Sequence, residues 1–238
     1  MTICFNFNLN RGGIILEKIA FEFEHSSRTD NYIHHTVAFK LKHDKGSKNE
    51  KEFLKRSIEM LSSLEGVENF EVRKQISEKN DFDYELTMDF ASIGAYEEYN
   101  NHPIHQSYVH DIWLKQVENF LEKDTFVLWR MPKEPISKEN IRHSVAFKLK
   151  WGNGTNEEKL FLEKSVEVLT KIPKVKNFTV NKQTNENNPY DFELAMDFDT
   201  SEDYSFYNNH PDHQEYVKDI WLEQVDSFLE KDTVFYGE

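Results

Sequence analysis

Apolar and polar residues alternate along His35-Thr36-Val37-Ala38-Phe39-Lys40-Leu41-Lys42, with Val37, Phe39 and Leu41 on one parity. That period of two predicts a strand. Phe53, Leu54, Ser57, Ile58, Leu61 and Leu64 then recur at helical spacing among charges, the pattern of an amphipathic helix. Phe70 with Val72 predicts a second strand, and the alternation from Phe82 to Phe90 a third. A short helix comes next, around Ser92 to Tyr99. A longer one runs from Pro103 to about Leu121, with Ile104, Tyr108, Ile112, Trp113, Val117 and Phe120 on its apolar face. Thr125 to Trp129 closes the unit as a fourth strand, so the order is β-α-β-β-α-β, the split βαβ order of ferredoxin-like sheets.

The whole pattern then occurs a second time. His143-Ser144-Val145-Ala146-Phe147-Lys148-Leu149-Lys150 repeats the first strand at an offset of 108 residues, and the offset holds without a gap to the C-terminus. It carries Phe82-Asp83-Tyr84-Glu85-Leu86-Thr87-Met88-Asp89-Phe90 onto Tyr190-Asp191-Phe192-Glu193-Leu194-Ala195-Met196-Asp197-Phe198, and Tyr99-Asn100-Asn101-His102-Pro103-Ile104-His105-Gln106 onto Tyr207-Asn208-Asn209-His210-Pro211-Asp212-His213-Gln214. A unit this long exceeds the roughly 20–50 residues of solenoid repeats, so each copy is a small domain. The predicted division is an N-terminal extension over 1–31, a first repeat over 32–130, a linker over 131–139 carrying Pro132 and Pro135, and a second repeat over 140–238. In the extension, Ile3, Phe5, Phe7 and Leu9, then Ile19, Phe21 and Phe23, alternate around Asn10-Arg11-Gly12-Gly13, which suggests a hairpin. A ferredoxin-like sheet has one face bare of helices. Tyr84, Leu86 and Met88 need cover, and two copies in tandem can supply it sheet against sheet.

Composition narrows the function. A net charge of -14 and a pI near 5.2 repel phosphate backbones and anionic lipids, which argues against nucleic-acid and membrane partners. Cys4 is the lone cysteine, so no internal disulfide or cysteine-based cluster forms, and with no secretory or membrane-spanning segment legible the expected location is cytoplasmic.

Candidate chemistry gathers at two places in each copy. Proline after His102 and His210 suits the first position of a helix and disfavours helical geometry before it, so these histidines are expected to cap. His105 and His213 sit in the first turn, where the helix dipole lowers histidine basicity and leaves a base near neutral pH; a histidine bonded to a backbone carbonyl is the alternative. Tyr99 and Tyr207 lie six residues earlier, across the break, so their convergence with His105 and His213 depends on the turn. His35 and His143 share the apolar parity of their strands. A metal reading would need His102, His105, Asp111, Glu85 and Asp89 to meet, and His-x-x-His across a proline break argues for it only feebly, so no metal or other cofactor is expected. Glu85, Asp89, Glu193 and Asp197 share one parity and read as salt-bridged or solvated.

The His-x-Val-x-Phe-Lys-Leu-Lys strand, the Tyr-Asp-Phe-Glu-Leu-Ala-Met-Asp-Phe strand and the Tyr-Asn-Asn-His-Pro-x-His-Gln turn together resemble the stress-responsive A/B barrel (Dabb) family of the dimeric α+β barrel superfamily, over both repeats. The resemblance implies an eight-stranded barrel, made by a homodimer in most relatives and here by one chain, a monomeric pseudo-dimer. A characterised relative is a cofactor-free polyketide cyclase. Three of its pocket positions fall on His35 and His143, Tyr99 and Tyr207, and His105 and His213, whereas a fourth, a strand-three histidine, is Tyr84 or Phe192 here. The resemblance therefore implies a pocket for a small, mostly apolar organic molecule in the barrel, also lined by Val37, Phe39, Val145 and Phe147, with acid–base chemistry carried by the histidines and tyrosines. The first copy, with the Tyr84 hydroxyl, is expected to be the more active one. A barrel filled by Phe39, Phe147, Met88, Met196 and Phe192 would instead make the chain a structural or interaction protein. Other branches of the superfamily bind haem, but no residue here stands out as an axial ligand.

Overall fold

The computed structural model describes residues 32–185 and 188–237; the hairpin expected over 1–31 lies outside them. In the first copy β1 (Ile33–Leu41) leads to a helix (Lys48–Leu61), β2 (Glu68–Gln75), β3 (Tyr84–Phe90), helices at Ile93–Asn101 and Pro103–Tyr108, and β4 (Val117–Arg130). The second copy repeats this with β5 (Ile141–Leu149), a helix (Asn156–Leu169), β6 (Lys176–Gln183), β7 (Phe192–Phe198), helices at Ser201–Asn209 and Pro211–Tyr216, and β8 (Val225–Phe235). The strands close into one antiparallel barrel in the order β1-β3-β2-β8-β5-β7-β6-β4. No helix among the described residues is long and apolar enough to cross a membrane.

Local signals start the helices where they stand. Ser47 and Thr155 accept from the backbone N–H of Glu50 and Glu158, and those glutamates accept from the N–H of Gly46 and Gly154, a reciprocal capping arrangement. Both glycines sit near φ +80°, where a side chain would be strained.

The fourth strand departs from the sequence expectation. The chain leaves the helix at Gln116 through a π-helical turn, Val109–Trp113, and is already extended at Val117. Val117, Phe120 and Leu121 fit helical spacing as readily as a strand, an ambiguity that short apolar runs always carry. Register decides it. Val117 to Thr125 pairs with β1 of the same copy, and Thr125 to Arg130 crosses the seam onto β6 of the other. β8 does the same with β5 and β2.

The two sheet faces are assigned opposite to expectation. Val37, Phe39, Tyr84, Leu86 and Met88 pack under their own copy's helices, with Phe53, Leu54, Leu61, Tyr108 and Trp113. Phe147, Phe192, Leu194 and Met196 do the same in the second core. The barrel interior takes the other parity and is polar, with a cavity of about 430 Å³ lined by His34, Thr36, Glu85, Asp89, Arg142 and Glu193 among others. Lys123 of the first copy pairs with Glu193 of the second, and Lys231 of the second with Glu85 of the first. All four side chains are buried, so Glu85 and Glu193 are salt-bridged inside the barrel rather than at strand ends, while Asp89 and Asp197 pair with His34 and Arg142.

Burial works against the Glu193 charge, yet the Lys123 and Lys231 ammoniums bring its pKa down from 4.5 to about 2. A carboxylate depressed on folding stabilises above its unfolded value and loses that contribution as pH falls through its folded one. Urea unfolding midpoints are therefore expected to hold above pH 5 and to drop between pH 4.5 and 2 in the wild type, and by less in a Lys123→Met, Glu193→Leu variant. Equal acid loss in both would exclude this pair as a cause.

Candidate functional site

Each copy holds a cavity between the outer sheet face and its helices. The first, about 150 Å³, is lined by His35, Val37, Leu86, Met88, Tyr99, His105 and Trp113 among others. The second, about 310 Å³, is lined by the counterparts His143, Val145, Leu194, Met196, Tyr207, His213 and Trp221. Thus the six residues singled out for chemistry converge, three in each cavity, outside the barrel rather than in it. Val109 and Trp113 of the π-helical turn, and Val217 and Trp221 of its counterpart, form part of the walls.

The break at His102-Pro103 makes the convergence possible. His102 Nδ1 accepts from Ile104 N at 3.2 Å, and His210 from Asp212 N at 3.3 Å, so both histidines are caps. The turn brings Tyr99 against His105 with ring centroids 4.2 Å apart, and Tyr207 against His213 at 4.3 Å. The contact is ring against ring rather than a hydrogen bond. His105 and His213 each donate from Nδ1 to a backbone oxygen, Asn100 O and Asn208 O, at 3.3 Å. Because a carbonyl can only accept, Nδ1 carries the proton and Nε2 a lone pair. Burial pushes the pKa of both histidines down, which keeps that lone pair free near neutral pH. Burial also raises Tyr99 and Tyr207, so both remain neutral phenols.

His35 and His143 have partners that sequence reasoning missed. His35 Nδ1 lies 2.6 Å from Asp124 Oδ1, and His143 Nδ1 2.7 Å from Asp232 Oδ1. Reading Val117 to Leu121 as helix hid the register that sets Asp124 across from His35. Beside each pair lies a glutamate, held in the first copy by Tyr96, whose hydroxyl donates to Glu122 at 3.1 Å. One ligand-type atom from each of His35, Glu122 and Asp124 lies within 4.8 Å of the others, and His143, Glu230 and Asp232 match them. The metal set considered from sequence does not assemble: His102 caps, Asp111 is exposed beside His110, and Glu85 lies inside the barrel.

Four residues expected in the pocket do not line it. Phe39 stacks on Tyr84 at 5.8 Å and Phe147 on Phe192 at 5.6 Å, behind Trp113 and Trp221. The Tyr84 hydroxyl donates to Glu50 Oε1 at 2.9 Å and so supports the helix cap. At the same place in the second copy, Phe192 lies under Lys182, 5.4 Å from its ring centre. The Tyr84/Phe192 difference therefore says nothing about pocket polarity.

Asymmetry enters elsewhere. The β2–β3 loop of each copy reaches over the other copy's site. Lys79 of the first copy donates to Tyr204 Oη at 3.0 Å, contacts Glu230, and lies 3.1 Å from Asp232 Oδ2. Tyr204 in turn donates to Asp232 Oδ1 at 2.7 Å. Burial opposes the Lys79 charge, but its bonds to Glu230 and Tyr204 and the field of Asp232 raise its pKa overall. By the repeat offset the counterpart of Lys79 is the neutral Asn187. Over the first site, Asn185 of the second copy donates to Asp124 Oδ2 at 3.2 Å.

Comparison with known proteins places this architecture. No curated protein matches the chain. A Dabb family protein with a ferredoxin-like fold from Mesorhizobium loti is 46% identical over 39% of this chain and 93% of its own, with a TM-score of 0.39. An anthrone oxidase-like protein matches 87% of this chain and 92% of its own at 9% identity with a TM-score of 0.67. A chlorite dismutase from Candidatus Nitrospira defluvii matches 86% and 91% at 11% identity with a TM-score of 0.57. The last two likenesses extend to the fold alone. The stress responsive A/B barrel domain matches twice, over residues 33–127 and 141–235, and the chain belongs to that family as a tandem duplication.

Proposed function

We propose that this chain is a stress-related, cytoplasmic protein that binds a small, mostly apolar organic molecule bearing an acidic hydroxyl or carbonyl, and performs acid–base chemistry on it without a cofactor in the second pocket. The reading rests on one observation above all, the convergence of His213, Tyr207 and His143 on an apolar cavity of about 310 Å³. Few, well-placed polar groups in a mostly apolar hollow are the usual form of a small-molecule site. The 150 Å³ of the first cavity is nearer the size that holds a single benzene. The second is therefore the one with room for a substituted ring, which reverses the preference drawn from Tyr84.

His213 Nε2 is the general base, its tautomer fixed by Asn208 O. It would take a proton from a carbon or oxygen acidified by an adjacent carbonyl. Tyr207 packs at a tilt against that imidazole, 4.3 Å between ring centres, and restricts its rotation. His143, held by Asp232, binds a polar group of the substrate. Both sites are completed within a single chain, so a monomer suffices.

A thermal-shift screen of the full chain against alkyl-substituted phenols, benzoic acids and acyclic poly-β-ketones tests the binding claim. With a compound that is turned over, His213→Ala is expected to lower kcat by about 100-fold or more, the usual contribution of a positioned base, and His105→Ala to have little effect. Equal losses would contradict the asymmetry. No loss from either would leave both histidines with only their carbonyl bonds, as parts of a structural or interaction protein.

A further inference from the structure

The two His-carboxylate triads are equivalent by the repeat, but among the described residues a fixed counter-cation lies on the second alone. In the second copy the Lys79 ammonium lies on Glu230 and Asp232, beside His143. In the first copy the corresponding residue is Asn187. Among the described residues, no lysine or arginine forms an ion pair with Glu122 or Asp124; Asp124 meets His35 instead. Two carboxylates and an imidazole, with Asp124 and His35 about 5% exposed, are thus brought together with no lysine or arginine of the described residues in the place that Lys79 takes at their twins. Carboxylates taken out of water need pairing or a metal.

We infer that the first copy binds a divalent cation of the Mn²⁺ or Zn²⁺ class on His35, Glu122 and Asp124, at the position that the second copy fills with Lys79. One imidazole nitrogen and two carboxylate oxygens are a borderline-hard donor set suited to such ions. Between His35 and Asp124 the required adjustment is small, and Glu122 offers an oxygen within 4.8 Å of both. Metal–ligand bonds of about 2.1 Å at right angles set their donors about 3 Å apart, whereas the His35–Asp124 contact is 2.6 Å. The outer partners are in place: Tyr96 donates to Glu122, and Asn185 occupies Oδ2 of Asp124, leaving Oδ1 on the His35 side. Such contacts orient ligands and tighten binding. His35 and Glu122 also line the 150 Å³ cavity, so the cation has an open side toward it. Duplication has then made two different sites from one, the first with an exchangeable cation and the second with one built in. The site is independent of the chemistry assigned to the second pocket, because its readout is metal stoichiometry.

The test titrates the full chain with Mn²⁺ and tracks loss of the free-ion signal by electron paramagnetic resonance. The wild type is expected to bind one ion tightly; Asp124→Asn and His35→Gln should each weaken it by about tenfold or more, and Asp232→Asn should not. Surface carboxylates contribute the same weak background to every variant. Lys79→Asn, in a loop rather than in a core, should raise the stoichiometry to two. Absence of saturable binding by the wild type, binding that Asp124→Asn leaves unchanged, or a stoichiometry that stays at one in Lys79→Asn would each overturn the proposal.

Discussion

Lys231→Ala is expected to destabilise the protein by about 3–5 kcal/mol, the cost of removing one partner from a fully buried ion pair. The side chains of Lys231 and Glu85 are each 4% exposed and in contact across the two copies. Without the ammonium, Glu85 must either stay charged inside the barrel or take up a proton. Lys123 lowers the Glu85 pKa from a distance but is itself engaged by Glu193. The same pair replaced as a whole, Lys231→Met with Glu85→Leu, should return most of the loss, since a buried pair often does no better than well-packed apolar residues. Urea unfolding with an unchanged m-value measures both. A loss below about 1 kcal/mol in the single variant would place these charges in the range of exposed pairs and would mean that water reaches the barrel interior freely.

The interior pairs also show where sequence reading stops. Alternation in Tyr84-Glu85-Leu86-Thr87-Met88-Asp89 separates an apolar face from a polar one without error, but it does not say which face meets the helices. The apolar face looked in need of the second sheet. In the structure it lies under its own copy's helices, and the charged parity points inward. β1, β3 and the proline break were accessible because each depends on neighbours in sequence, whereas the meeting of Tyr99 with His105 depends on the turn between them, which the spacing alone left open. Asp124 on His35 depends on the register between strands 89 residues apart, and Lys79 on Tyr204 depends on a loop crossing from one copy to the other. Neither leaves a periodic trace. The misplaced start of β4 compounded the first, because a helix to Leu121 left Glu122 and Asp124 without a face.

Separately expressed halves, residues 32–130 and 140–238, are expected not to persist as folded monomers. Each half would keep its own helical core but would expose the seam edges of two strands. Thr125 to Arg130 would lose β6, and Arg73 to Gln75 would lose β8. Such edges are templates for pairing with another chain. The interior makes the demand stronger, because Lys123 and Glu85 of the first half have their partners in the second. Glu193 and Lys231 repeat Glu85 and Lys123 at the 108-residue offset, so two copies of either half can restore both charge pairs across a twofold axis. Mixed halves should form a one-to-one complex and each half alone a homodimer, with unfolding midpoints that rise with concentration as linked association requires. Sedimentation equilibrium measures this directly. A half that stays folded and monomeric at high concentration would show that closure of the barrel between the copies does not stabilise either one.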